Sequence, residues 1–295
     1  MSDWVLGIIG GSGLYAMEGL ENPQWIDVGS PFGAVSDQIL AATLNGIPVR
    51  FLPRHGRGHV HTPTSVNYRA NIDALKRAGC TDLVSLSAVG SLQEAMAPGH
   101  FVAVDQFIDR TFAREKSFFG PGHVAHVSVA DPICPRLSNH LADAAEAAGA
   151  TVHRPQNGKP ITYLAMEGPQ FSTRAESELY RQWGCHVIGM TNMPEAKLAR
   201  EAELPYATIG MVTDYDCWHD GHGNVEVANI LAVLQKNATT ATQTVVELTR
   251  ALSGTERTPS PIDTNLDFAI VTSPDAQDPR IRAKLSAILR RYDSR

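Results

Sequence analysis

Asp214 and Asp216 stand two positions apart in Val212-Thr213-Asp214-Tyr215-Asp216-Cys217-Trp218, directly after the apolar run Ala207-Thr208-Ile209-Gly210-Met211. The run has the length and composition of a buried strand, so the chain leaves the core and at once presents two carboxylates beside two aromatic rings. Carboxylates this close, partly shielded by Tyr215 and Trp218, repel each other, and one can hold its proton near neutral pH and donate it. The same pattern fits a strand that ends in a solvated turn, a place Asp commonly fills. How the other strands end weighs between these readings.

Several of them end in polar groups. Val5 to Ile9 runs into Gly10-Gly11-Ser12-Gly13, a loop whose bare backbone can aim amides at an anion. Gly11 to Ala16 fits the G-x-G-x-x-A dinucleotide pattern, but that fingerprint must open a helix and Glu18 to Pro23 breaks the chain within a few residues. A nucleotide-binding module or dehydrogenase rests on that match alone. Asn45-Gly46 joins two strand-like runs as a hairpin, and the second delivers Arg54-His55-Gly56, suited to a charged grip on phosphate. Asp82 to Leu86 reads as a buried strand ending in Ser87-Ala88, whose hydroxyl and amides are further phosphate candidates. Ile161 to Met166 feeds Glu167-Gly168-Pro169-Gln170-Phe171-Ser172, and His186 to Met190 leads to Thr191. His55, His59 and His61 lack both an HExxH pattern and a ligand of another type, so no metal is expected, and His219-Asp220-Gly221-His222 reads as a loop.

Helical spacing recurs between these strands: Ser65 to Ala78, Arg136 to Ala148, Thr173 to Trp183 with Thr173 and Glu176 as a capping box, a helix capped by Asn192, and Val225 to Leu252. Asp105 to Phe119 reads as a surface excursion, and His126 lies in the strand-like Val124 to Val129. The repeated unit of strand, polar loop and helix predicts a single α/β domain, with a mixed, mostly parallel central sheet flanked by helices on both faces. In such sheets ligands bind at the carboxyl ends of the strands, where these groups converge. Hydroxyls, amides and an Arg would face phosphate, Phe171 a planar ring, and Asp214 and Asp216 its polar edge. Residues 1–254 form the expected catalytic domain; 255–295 add a linker, a short strand at Leu266 to Thr272 and a helix at Arg280 to Tyr292, packed on the same domain.

The totals bound the partners. A formal net charge of -6 over 295 residues gives no bulk attraction to nucleic acid or anionic membrane, and no apolar run is long enough to span a bilayer. Four scattered cysteines without CxxC spacing read as reduced thiols, and the start lacks a basic segment followed by an apolar one. A cytoplasmic protein with a small-molecule partner is expected.

The chain resembles the trimeric purine nucleoside phosphorylase family. The resemblance rests on Gly7 to Leu14, Arg54-His55-Gly56, Val66-Asn67-Tyr68-Arg69-Ala70-Asn71, Glu167 to Ser172, Met190-Thr191 with Pro194-Glu195, and Thr213 to Trp218, in order over positions 4 to 252. It implies a homotrimer that phosphorolyses S-methyl-5′-thioadenosine, with inorganic phosphate as co-substrate and no cofactor. Ser12, Arg54, His55, Ser87, Ala88 and Thr191 would surround phosphate, with Met190 beside the ribose. Phe171 and Ser172 would hold the purine, with Asp214 and Asp216 at its edge. Val227 and Ile230 would line the methylthio pocket, and His126 would reach a neighbouring subunit's site. The close alternative, a 6-oxopurine phosphorylase, is expected to carry Asn where this chain has Asp.

Overall fold

The computed structural model describes residues 4–11, 14, 17–219 and 227–294, with side chains in all of these except 227–232. In order, the elements are β1 (Leu6–Gly10), β2 (Glu21–Ile26), β3 (Ile39–Leu44), β4 (Ile47–Pro53), α1 (Tyr68–Arg77), β5 (Asp82–Ser91), β6 (Phe101–Val104), β7 (Gln106–Asp109) and α2 (Pro135–Ala147). There follow β8 (Val152–His153), β9 (Thr162–Ala165), α3 (Arg174–Gln182), β10 (Val187–Gly189), α4 (Asn192–Glu201), β11 (Tyr206–Asp214), α5 (Val227–Leu252), α6 (Pro279–Lys284) and α7 (Arg290–Asp293).

The strands form one sheet in the order β2-β3-β4-β1-β5-β10-β9-β7, with β11, β6 and β8 branching from β5. β4, β1, β5 and β11 run parallel, and their side chains are almost wholly buried, as continuous apolar runs covered on both faces require. Asn45 and Gly46 both take positive φ, the turn that matches strand twist between β3 and β4. On one face α1 and α4 pack through Ile72, Leu75 and Leu198; on the other α2 and α5 pack through Leu137, Leu141, Val245 and Leu248. Each such buried side chain contributes roughly 1.5–3 kcal/mol. α3 carries the Thr173 capping box, Thr173 accepting from the Glu176 amide and Glu176 from the Thr173 amide. Thr173→Ala should therefore cost about 1 kcal/mol by urea unfolding; no change would mean that packing of Tyr180 alone sets that helix start.

Several elements differ from the sequence reading. β2 forms where a break was expected, because an edge strand tolerates Asn22-Pro23 at a register irregularity between Glu21 and Gln24. Asp105 to Phe119 is no surface excursion throughout: β7 pairs with β9, and Arg114 is buried. Val124 to Val129 makes one isolated bridge, Ala125 to Ile270, rather than a strand. The strand expected at Leu266 to Thr272 is likewise reduced to that bridge and the backbone bonds beside it, His126 to Ala269 and Val271 to Val124, and Phe268 is 99% exposed. The final helix is broken into α6 and α7, yet it buries Leu285, Ile288 and Leu289 against the α1 and α4 face. Asp82, fully buried, accepts from Arg136 and Arg257, and Arg257 also pairs with Asp263, which ties the chain after α5 to the sheet. Asn192 is not the cap of α4: its amide donates to Ser85, Tyr206 and Thr208, and Thr191 occupies the cap position.

Candidate active site

A cavity of about 370 Å³ opens where β1, β4, β5 and β11 end. The expectation that all strands present their carboxyl ends there needs correcting, because β10 runs antiparallel to β5. β5 is long enough to pair with β1 and β11 first and with β10 last, so the returning β10 carries Met190 and Thr191 back beside Ser87. Ser87 and Ala88 accordingly lie within a strand, not in a loop beyond it.

One end of the cavity is built from hydroxyls and an imidazole. Ser87 Oγ lies 3.0 Å from Thr191 Oγ1, and the Thr191 amide donates to the buried Tyr163 hydroxyl at 3.3 Å. Thr191 makes no side-chain cap bond to α4, which leaves its hydroxyl to Ser87 and the cavity. Arg54, 2% exposed, donates through Nε and Nη2 to Glu195 at 2.8 and 3.1 Å and through Nη2 to Ser85 at 2.5 Å. Its Nη1 reaches only the Leu86 carbonyl, at 3.5 Å, so this edge is the one left for a ligand. Glu195 also accepts from the Tyr206 hydroxyl at 2.7 Å. His55 Nδ1 donates to the His61 carbonyl at 2.8 Å, and its ring stacks on His59 at 4.4 Å. Burial, then the Arg54 charge, push His55 down to about 4, so near neutral pH it is a neutral ring with Nε2 as an acceptor.

The other end holds the carboxylates. Asp214 accepts from the Thr213 hydroxyl at 2.7 Å and from the Asp216 amide at 2.8 Å. Burial raises Asp214, and burial together with the Asp214 charge pushes Asp216 up to about 6. The Ser177 and Ser172 hydroxyls and the Cys217 amide offset part of this, yet Asp216 Oδ2 is buried with no partner at hydrogen-bond geometry. Asp216 takes φ +52°, a backbone state that aspartate tolerates better than most residues. Opposite, Gly90 leaves no room for a side chain: a Cβ there would meet Asp214 Oδ1 and Ile188 at about 3 Å. Phe171, 47% exposed, supplies an aromatic wall.

Arg54, His55, Ser87, Ala88, Met190, Thr191, Phe171, Asp214 and Asp216 thus share one cavity. Ser172 stands at the edge of the cavity: its hydroxyl lies 3.7 Å from Met166 Sδ and faces Asp216, both lining residues, and its carbonyl accepts from Cys217. His126 lies outside this chain's own cavity, its amide bonded to the Ala269 carbonyl. Ser12 falls outside the described residues, as do the side chains of Val227 and Ile230. Further along α5, Leu234, Ala238 and Ala241 line the cavity; their spacing marks a buried stripe without revealing what it faces. Sequence reasoning gave no role to Glu195, named there only within a family motif, or to Tyr163 in the run Ile161 to Met166, and it gave His59 none beyond a rejected metal cluster.

A mixed sheet of this order, with an anion-suited cluster and a shielded carboxylate pair facing each other across one cavity, defines the nucleoside phosphorylase type of fold. The model of the phosphorylase superfamily matches residues 5–250. The chain belongs to that superfamily. It is 61% identical to an S-methyl-5′-thioadenosine phosphorylase of Cereibacter sphaeroides, over 96% of this chain and 97% of the relative, and 59% identical to that of Rhodospirillum rubrum, over 96% and 95%. Among solved structures, a methylthioadenosine phosphorylase from an Antarctic soil metagenomic library is 46% identical with a TM-score of 0.90, over 98% of this chain and all of that one. The methylthioadenosine phosphorylase of Schistosoma mansoni in complex with adenine is 32% identical with a TM-score of 0.78, over 97% of both chains.

Proposed function

We propose that this chain catalyses phosphorolysis of S-methyl-5′-thioadenosine to adenine and 5-methylthioribose 1-phosphate. The observation that carries the reading is the Asp214–Asp216 pair at one end of the cavity, whose proton affinity burial raises toward neutral pH, on a chain 61% identical to a relative of that activity. Cleaving an N-glycosidic bond builds positive charge on the ribose and negative charge on the base, so an anion is needed near C1′ and a proton donor near N7. Phosphate serves as nucleophile and counter-charge, held by Ser87, Thr191, the Ala88 backbone and the Arg54 Nη1 edge, with Ser12 expected to join them. Neutral His55 accepts a phosphate proton at Nε2. Met190 stands beside the ribose and Phe171 against the purine. Asp214 and Asp216 act as a coupled acid: their shared proton goes to N7 and their ionised oxygens accept from the 6-amino group. No cofactor enters this chemistry.

The assembly we expect is a homotrimer in which His126 completes a neighbour's site. Supporting it, His126 lies outside its own cavity, in a segment bonded to the stretch that exposes Phe268 and, at 58%, Val271. The family resemblance assigns Val227 and Ile230 to the methylthio pocket, and Leu234, further along α5, lines the cavity. A cytoplasmic setting, with products returned to purine and methionine salvage, fits four free cysteines and the lack, among the described residues, of any helix long and apolar enough to cross a membrane.

The test is to incubate the protein with methylthioadenosine, and separately with methylthioinosine, with and without phosphate, and to follow free base by chromatography. Phosphate-dependent adenine release is the expected result; hypoxanthine dominance would move the chain to the 6-oxopurine branch, and release without phosphate would mean that the anion site is misread. Thr191→Val, which keeps the shape and loses the hydroxyl, should raise the phosphate KM by about 10-fold with a smaller change in nucleoside KM. An unchanged phosphate KM would remove Thr191 from the anion site.

A further inference from the structure

The Arg114–Glu167 ion pair sits behind the cavity and bonds to the backbone of Met166 and Met190, two residues that line it. Neither side chain lines the cavity itself. Arg114, 1% exposed in its side chain, donates from Nη1 to the carbonyls of Met190 at 2.5 Å and Met193 at 2.8 Å and to the Tyr68 hydroxyl at 3.1 Å. Its Nη2 donates to the Glu167 carbonyl at 2.6 Å and its Nε to Glu167 Oε1 at 3.0 Å. Glu167 in turn accepts from the Thr64 hydroxyl at 2.6 Å and from the amides of Phe112 and Ala113. Burial works against its charge, but these bonds win and hold its carboxyl at about 2.

The first turn of α4 explains why an arginine is needed. Met193 has φ -119° and ψ 131°, an extended residue inside the helix start, so the carbonyls around Thr191 cannot all be satisfied by helical bonds. Arg114 satisfies two of them, on either side of Thr191, and so fixes the turn that holds the Thr191 hydroxyl 3.0 Å from Ser87. Gly168, next to Glu167, packs so closely on Met190 that a Cβ would come within 2.4 Å of Met190 Sδ. Thr64 follows Pro63, another lining residue.

We propose that Arg114 and Glu167 are positioning residues for phosphate: they hold the Met190–Thr191 turn in register with Ser87. The proposal rests on the phosphorolytic reading above. A group that fixes geometry this close to the nucleophile is expected to affect turnover strongly, because a misplacement near 1 Å costs about 100-fold.

Arg114 also lines a second, outer cavity of about 510 Å³ between Phe32, Phe118 and Lys284, which offers a route for chemical rescue. Arg114→Ala leaves Glu167 and two carbonyls facing a guanidinium-shaped space reached from that cavity. The experiment measures KM for phosphate and for nucleoside in wild type and Arg114→Ala, with millimolar guanidinium chloride, urea or sodium chloride, alongside circular dichroism. The expected result is a phosphate KM raised by about 30-fold, a nucleoside KM raised much less, and recovery of most of the phosphate affinity with guanidinium only. A folded variant with unchanged phosphate KM, or one equally impaired for both substrates and indifferent to guanidinium, overturns the proposal. If Arg114→Ala does not fold, Thr64→Val decides: about a 3-fold rise in phosphate KM supports the positioning role, and an unmoved value overturns it. Wild-type base release that ignores phosphate overturns the functional reading and this proposal together, whereas a phosphate-dependent wild type with an unmoved variant overturns this proposal alone.

Discussion

Asp216→Asn should lower kcat/KM for methylthioadenosine by about 10²–10³-fold while making the free protein more stable at pH 7. The two effects share one cause. Asp216 is 6% exposed, its Oδ2 is buried with no partner at hydrogen-bond geometry, and its pKa is pushed up from 3.8 to about 6. A carboxyl whose folded pKa lies above its unfolded value favours folding in its protonated form. Its stabilising contribution is complete below about pH 4 and is lost as pH rises through about 6, leaving roughly 1–3 kcal/mol of burial cost at neutral pH. Asn carries no charge and avoids that cost. Urea midpoints of wild type and variant should therefore converge on acidification from pH 7 to pH 4 and diverge again on return. Asp214→Asn is expected to lose activity to a similar degree without gaining stability, because both Asp214 oxygens already accept hydrogen bonds and an amide must turn one donor toward another. It should also shift relative preference toward methylthioinosine, whose 6-oxo group an amide can serve. A destabilised Asp216→Asn with normal turnover would make Asp216 a turn residue and nothing more.

Glu195→Ala carries the second large effect. Arg54 and Glu195 are 3% and 2% exposed in their side chains, and Glu195 is the carboxylate that balances the buried guanidinium. Removing one partner of such a pair leaves an uncompensated charge in the core and typically costs about 3–5 kcal/mol, a large part of a total stability of roughly 5–15 kcal/mol. The loss should appear as a lower urea midpoint with a similar slope, and as a phosphate KM raised by about 10-fold or more where the variant still folds, since Arg54 then has nothing to hold its Nη1 edge toward the cavity. Glu195→Gln, which keeps one acceptor oxygen and the volume, should lie between. A Glu195→Ala protein that unfolds like wild type would show that Arg54 is held by Ser85 and the strand carbonyls without the ion pair.

Local signals made much of the fold legible. The apolar runs gave β1, β4, β5 and β11, Asn45-Gly46 gave the hairpin, and Thr173 with Glu176 gave the start of α3, because each depends on residues within a few positions of one another. The motifs from Arg54 to Asp216 identified the residues that share the cavity, since side-chain chemistry is written in residue type. By itself the sequence determined the strand-and-helix alternation, the pairing of β3 with β4 and the chemical kinds of group available. Only the tertiary structure decided how those groups meet. The antiparallel return of β10 to the end of β5, the pairing of Arg54 with a glutamate 141 positions away, and the seat of Arg114 under a non-helical turn all depend on contacts between distant segments. Residues 266–272 were misread as a strand because an apolar run near a sheet takes its role from neighbours that residue order alone does not supply.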